Sequence, residues 1–141
     1  MQTRNHYFSS DQALARYLTR QGIIDSASLL IQVYASHADK TLIQSCLDAL
    51  ACRLPGATVI GATSAGEMAD GQVSQERILL TFSQFDNTRL SSTLQPLTAS
   101  NFQEGLQLAK DLVTDDTRCL LVFADGLACN GEELLKGIQQ Q

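Results

Sequence analysis

The sequence is short of several things, and each shortage removes a class of function. No apolar run approaches the roughly 20 residues that a bilayer-spanning helix requires. The opening Met1-Gln2-Thr3-Arg4-Asn5-His6 holds no apolar signal segment, so the chain is expected to be cytoplasmic, with no membrane in this segment. Basic residues are few: 10 lysines and arginines stand against 15 aspartates and glutamates, for a net charge of −5 and a sequence pI near 4.8. A nucleic-acid partner would need a basic stripe to displace counterions, and anionic lipid would need the same. No pair among the four cysteines (Cys46, Cys52, Cys119, Cys129) has the C-x-x-C spacing of a zinc or thioredoxin-type site. They are expected to be reduced thiols that pack as small hydrophobes. Histidine is scarce as well, with His6 and His37 alone.

What is present reads as a folded α/β chain. Its 141 residues, 44% hydrophobic and 18% charged, suffice for one domain with a sizeable core. Ser9 to Thr19 has helical spacing, with Ser9-x-x-Gln12 as its capping box and Gly22 as its stop. Leu29 to Tyr34 is apolar at nearly every position, like a strand covered on both faces. Asp39 caps a helix to about Arg53, whose stripe is Leu42, Ile43, Cys46, Leu47, Leu50 and Leu54. Pro55-Gly56 ends it, and Thr58-Val59-Ile60 is a short strand. Two extended runs, Arg77 to Phe82 and Arg89 to Leu94, flank turn residues Phe85 to Thr88 and predict a hairpin. Asn101-x-x-Glu104 opens a helix bearing Phe102, Leu106, Ala109 and Val113. Cys119 to Ala124 is a strand, and Asn130-x-x-Glu133 caps a last helix with Leu134, Leu135 and Ile138. The expected fold is α/β: a mixed sheet with parallel strands joined by helices plus one antiparallel hairpin.

The loop Gly61-Ala62-Thr63-Ser64-Ala65-Gly66-Glu67 follows a strand, where ligands sit in α/β sheets. Gly61 and Gly66 have the spacing of a phosphate loop, yet Glu67 and Met68 occupy the positions that need Lys and Ser or Thr, and Glu67 would repel phosphate. Ala62-Thr63-Ser64-Ala65-Gly66 approximates a nucleophile elbow, yet both histidines lie upstream of Ser64 and the hydrolase order needs one downstream. Two readings stay open: small residues that let backbone amides approach a ligand, and a tight strand exit. His37 at the first strand end could hold a metal or haem iron or bond a carboxylate, or be an ordinary loop histidine. Asp125-Gly126 and Asn130-Gly131-Glu132-Glu133 could hold a metal or orient a substrate, or simply turn and cap. Glu67 and Asp125 would pair if their strands were neighbours. Ligand-binding candidates are therefore Ser36, His37, Thr63, Ser64, Glu67 and Asp125, with no catalytic residue and no metal ligand assigned. Their hydroxyls and carboxylates suit an amine-bearing ligand better than a phosphate.

Three stretches carry a family resemblance. Val33 to Asp39 follows an apolar strand. Leu54 to Glu67 runs from a proline-glycine turn through a strand into Gly-x-Thr-x-Ala-Gly-Glu. Leu121 to Leu135 contains Asp125-Gly126 and Asn130-Gly131-Glu132-Glu133. Together they resemble the amino-terminal portion of the FIST sensory domain over most of residues 25 to 138. The resemblance implies that 1–141 is the amino-terminal part of a FIST-like domain, which continues into a glycine-rich strand and a carboxy-terminal part. It implies a ligand-sensing input module, binding a small molecule such as an amino acid, with an output of cyclase, chemoreceptor or histidine kinase type. The alternative it implies is a haem-binding nitric-oxide sensor. Neither is an enzyme, and the residues name no cofactor of their own.

With no histidine after Ser64 and no lysine after Gly66, the purified chain is expected to hydrolyse neither esters nor nucleoside triphosphates. Turnover that vanishes in Ser64→Ala would overturn this.

Overall fold

A residue whose side chain accepts from a helix's first free amides opens three of the helices among the described residues. Ser10, one residue later than the expected Ser9, accepts from the Ala13 amide and opens α1, Asp11–Gln21. Gly22 closes it in the left-handed region, φ 63°. Asp39 accepts from the Thr41 amide and opens α2, Lys40–Arg53. The computed structural model describes residues 1–36, 39–96 and 100–140. In chain order the other elements are β1 (Gln2–Phe8, ahead of α1), β2 (Leu29–Ser36, between the helices), β3 (Thr58–Ser64), β4 (Glu67–Ala69), β5 (Gln72–Ser74), β6 (Ile78–Gln84), α3 (Asn101–Leu112) and α4 (Gly131–Ile138). The chain divides into two compact units, Met1–Leu90 and Ser91–Gln141.

The first unit is built on a mixed four-stranded sheet, order β1-β6-β2-β3. β2 and β3 are parallel and joined by α2, while β6 runs antiparallel to both β1 and β2. A separate two-stranded hairpin pairs β4 with β5. The expected α/β mixed sheet with one hairpin is present, but the hairpin is elsewhere. Asp70-Gly71, not the Phe85 to Thr88 stretch, makes its turn, with φ of 52° and 75°. Two successive positive values suit the right-handed twist of the flanking strands, and Asp-Gly tolerates both. Residues 89–94 carry no strand. The edge they were expected to pair, along β6, is taken on its two sides by β1 and β2.

Alternation along the strands sorts the side chains. Phe8, Leu29, Ile31, Val33, Ala35, Ile78, Leu80 and Phe82 point to one face and form the core with Leu14, Tyr17 and Leu18 of α1 and Cys46, Ala49 and Leu50 of α2. Burial pushes the Cys46 thiol up to about 12, which leaves it inert packing. The other three cysteines are unpaired and not fully buried, so the small-hydrophobe expectation holds for Cys46 alone. Leu47 departs from its expected place: it is 38% exposed. It lies about 100° around the helix axis from Cys46, past the edge of a stripe that Ala49 enters instead.

The second unit is a helix pair. Asn130 accepts from the amides of Glu132 and Glu133 and opens α4, as its sequence predicts. The two helices touch backbone to backbone. A Cβ at Gly105 would collide with the carbonyl of Leu134, and one at Gly137 with that of Phe102. The expected apolar face of α3 is displaced accordingly: Glu104, Gly105 and Ala109 are buried, and Phe102 and Leu106 only partly so. Leu134 is buried, Leu135 exposed. Cys119 to Ala124, expected as a strand, is not one, for no strand pairs with it among the described residues.

Leu50, 1% exposed, is the position where truncation should leave a cavity. Leu50→Ala is expected to cost about 2–5 kcal/mol and Leu47→Ala under about 1 kcal/mol, read from urea unfolding. Equal costs would place Leu47 in the core.

Candidate functional site

Parallel pairing of β2 with β3 brings their carboxyl ends side by side, Ser36 opposite Ser64. The close approach depends on Gly61, for a Cβ there would collide with the Val33 carbonyl. Residues 61–64, expected as a loop, thus belong to β3. Three residues beyond Ser64, Glu67 begins the hairpin with its side chain buried, 4% exposed. One carboxylate oxygen of Glu67 accepts from Ser64 Oγ at 2.7 Å, the other from Ser36 Oγ at 2.9 Å. Ser74 Oγ of β5 lies 3.5 Å from that second oxygen and donates to the Tyr7 hydroxyl at 3.0 Å. Ser36 is itself held by its amide, which donates to the Arg77 carbonyl. The Arg77 guanidinium stands 5.0 Å over the Tyr7 ring.

A buried carboxylate is normally answered by a cation or by several hydrogen bonds. Glu67 has the second arrangement: among the described residues it forms no ion pair, and its partners are hydroxyls. A serine hydroxyl can rotate its hydrogen and also accept, so Ser36 and Ser64 can change their bonding around the carboxylate.

Of the sequence candidates, the structure brings Ser36, Ser64 and Glu67 together. Thr63 is exposed, and strand alternation turns it to the face opposite Ser64. His37 lies outside the described residues. Asp125 belongs to the second unit, where its carboxylate accepts from the Leu127 amide and its carbonyl from the Ala128 and Cys129 amides. That is the turn its Asp-Gly sequence suggests. It also lines a pocket of about 240 Å³ within that unit, with Glu104, Leu108, Leu112, Leu120 and Leu134.

Tyr7 and Ser74 join the cluster without having been singled out from sequence. Ser74 follows Asp70-Gly71 by three residues, so the Asp-Gly hairpin signal could have placed it opposite Glu67, its register partner. Tyr7 had no such signal.

The FIST N domain family model matches residues 29–141. The chain therefore belongs to the FIST family, a sensory domain family associated with signal transduction. No curated protein and no solved structure matches it. Among the described residues no helix is long and apolar enough to cross a membrane.

Ser36 is fully buried with its hydroxyl on Glu67. Ser36→Ala is expected to lower unfolding free energy by about 1.5–3 kcal/mol, the range for hydrogen bonds to a charged group. Denaturant titration at neutral pH measures this. A loss below about 0.5 kcal/mol, the scale of ordinary surface changes, would mean that the carboxylate does not depend on Ser36.

Proposed function

We propose that this chain is the ligand-sensing input part of a cytoplasmic signal-transduction protein, and that its ligand is a small molecule bearing an ammonium group, such as an amino acid. The observation that carries the reading is the Glu67 carboxylate, buried at the joined carboxyl ends of β2 and β3 and answered by hydroxyls, with no cation among the described residues. The carboxyl ends of neighbouring parallel strands are where α/β sheets take ligands. An ammonium supplies the charge that the carboxylate lacks, and Ser36 and Ser64 can then accept from the ligand. Membership of a sensory family supports the same direction, with an output domain or protein of cyclase, chemoreceptor or histidine kinase type as the receiver.

Catalysis is not part of the proposal. Ser64 Oγ donates to Glu67 at 2.7 Å, a serine-carboxylate contact. An activated serine needs a base able to take its proton during attack, typically an imidazole oriented by the carboxylate. The described histidine, His6, lies in β1 at a position whose side chain points to the helix-covered face of the sheet, away from Ser64.

Calorimetry against a panel of amino acids and simple amines tests the reading on the protein with its full-length chain. Glu67→Gln keeps the shape and removes the charge, and is expected to weaken an amine ligand by about 1.5–3 kcal/mol. An amine that binds wild type and Glu67→Gln equally would rule the carboxylate out as its contact.

A further inference from the structure

We propose that β1 is an acid-sensitive latch on the Glu67 cluster: a proton taken up by His6 on one face of the strand loosens Tyr7, and with it Ser74, on the other. Consecutive residues of a strand point to opposite faces. His6 faces α1, where its ring stacks on Tyr17 with centroids 4.2 Å apart and planes 19° off parallel. Tyr7 faces the hairpin, where its hydroxyl accepts from Ser74 Oγ. One short strand thus joins an imidazole on the helix side to the carboxylate cluster on the other.

The imidazole is set in a place that suits only its neutral form. Its Nε2 is enclosed and has no hydrogen-bond partner among the described residues. Protonation would make Nε2 a charged donor with nothing to receive it. The charges around it give no relief. On α1, Arg20 lies 5.9 Å over the Tyr17 ring, so that ring already carries one cation. Arg16 is also on α1, and Asp11, the acidic residue of that helix, is held by Arg53 at 2.6 and 2.7 Å. On β1 itself Arg4 shares the His6 face. β6, Ile78–Gln84, contains no charged residue. Asp70 of the hairpin turn is engaged by the Asn5 side chain. Burial first, and Arg20 second, hold the His6 pKa below its ordinary value of 6.5. The neutral stack therefore stabilises the fold in full above pH 6.5, and that contribution is lost as pH falls from 6.5 through the lower folded-state value.

β1 is the element to yield. It is an edge strand with a single ladder, to β6. Beyond that ladder the Tyr17 hydroxyl ties it to α1 through the Asn5 carbonyl at 2.8 Å, beside the same stack. β1 lies ahead of the matched family region, which starts at residue 29. The latch's consequence for signalling rests on the reading of Glu67 as the ligand site. Its existence does not, and the test uses no ligand.

Amide hydrogen exchange on the intact chain, corrected for intrinsic rates, is followed at about pH 7.5 and about pH 5.5, either side of the ordinary imidazole value. In wild type, protection of both Arg4–Phe8 and Gln72–Ser74 is expected to fall on acidification. In His6→Phe, which keeps a stacking ring and takes no proton, both segments are expected to stay protected. In Tyr7→Phe, acid should still loosen β1 while Gln72–Ser74 shows no further loss. Acid loss in His6→Phe equal to wild type would overturn the proposal, as would a β5 whose protection holds while β1 opens. Should His6→Phe fail to fold, the wild-type His6 ring resonance decides: titration at or above 6.5 refutes the latch, and titration below it supports it.

Discussion

A carboxylate withdrawn from water must be answered, and at Glu67 hydroxyls from two strands do so: Ser36 of β2 and Ser64 of β3, with Ser74 Oγ of β5 at 3.5 Å. The desolvation cost of such a group is several kcal/mol, while each hydrogen bond to it returns about 1.5–3 kcal/mol. The two bonds from Ser36 and Ser64 offset the cost with little to spare. Burial of an apolar side chain would be the simpler way to hold these strands.

The cluster depends in turn on how closely β2 and β3 approach. Gly61 admits the Val33 carbonyl, and that contact lies three register steps before Ser36 meets Ser64. α2 makes the crossover, anchored by Cys46 and Leu50 in the core. A change at Gly61 would therefore act on Glu67 without touching it, by displacing the strand end that carries Ser64. Gly61 and the glutamate of the Gly-x-Thr-x-Ala-Gly-Glu stretch have one explanation in common: a residue without a Cβ lets two backbones close up so that two hydroxyls can meet one carboxylate.

Local chemistry was legible in the sequence and long-range pairing was not. Asp39 and Asn130 cap their helices because a short polar side chain before an apolar stripe has one local use. Ser36, Ser64 and Glu67 were found because they end strands or follow them. By contrast, β1 reads Gln-Thr-Arg-Asn-His-Tyr-Phe, with neither alternation nor an apolar run. Its strand state comes from the β6 edge it pairs with, which no window of sequence contains. For the same reason Arg89 to Leu94 and Cys119 to Ala124, extended by propensity, carry no ladder: β-propensity describes a surface that fits a partner. Leu47 failed for a smaller reason, since a 3.6-residue stripe has edges and periodicity does not say how wide the covered arc is.

The polar character that hid β1 is what its position demands. β6 is Ile-Leu-Leu-Thr-Phe-Ser-Gln, apolar at Ile78, Leu80 and Phe82 on its core face and at Leu79 on the other. Left at the edge of the sheet, such a strand would invite pairing with another chain. β1 covers that edge and becomes the edge itself, so it carries Arg4, Asn5 and His6 where β6 carries Phe82, Thr81 and Leu80. A strand placed there for protection must be held by side chains as well as by its one ladder, and both faces supply them: Tyr17 from α1 and Ser74 from the hairpin. Protection of the edge and support of the Glu67 cluster are thus met by the same seven residues, which is why a disturbance on either face of β1 cannot stay on that face.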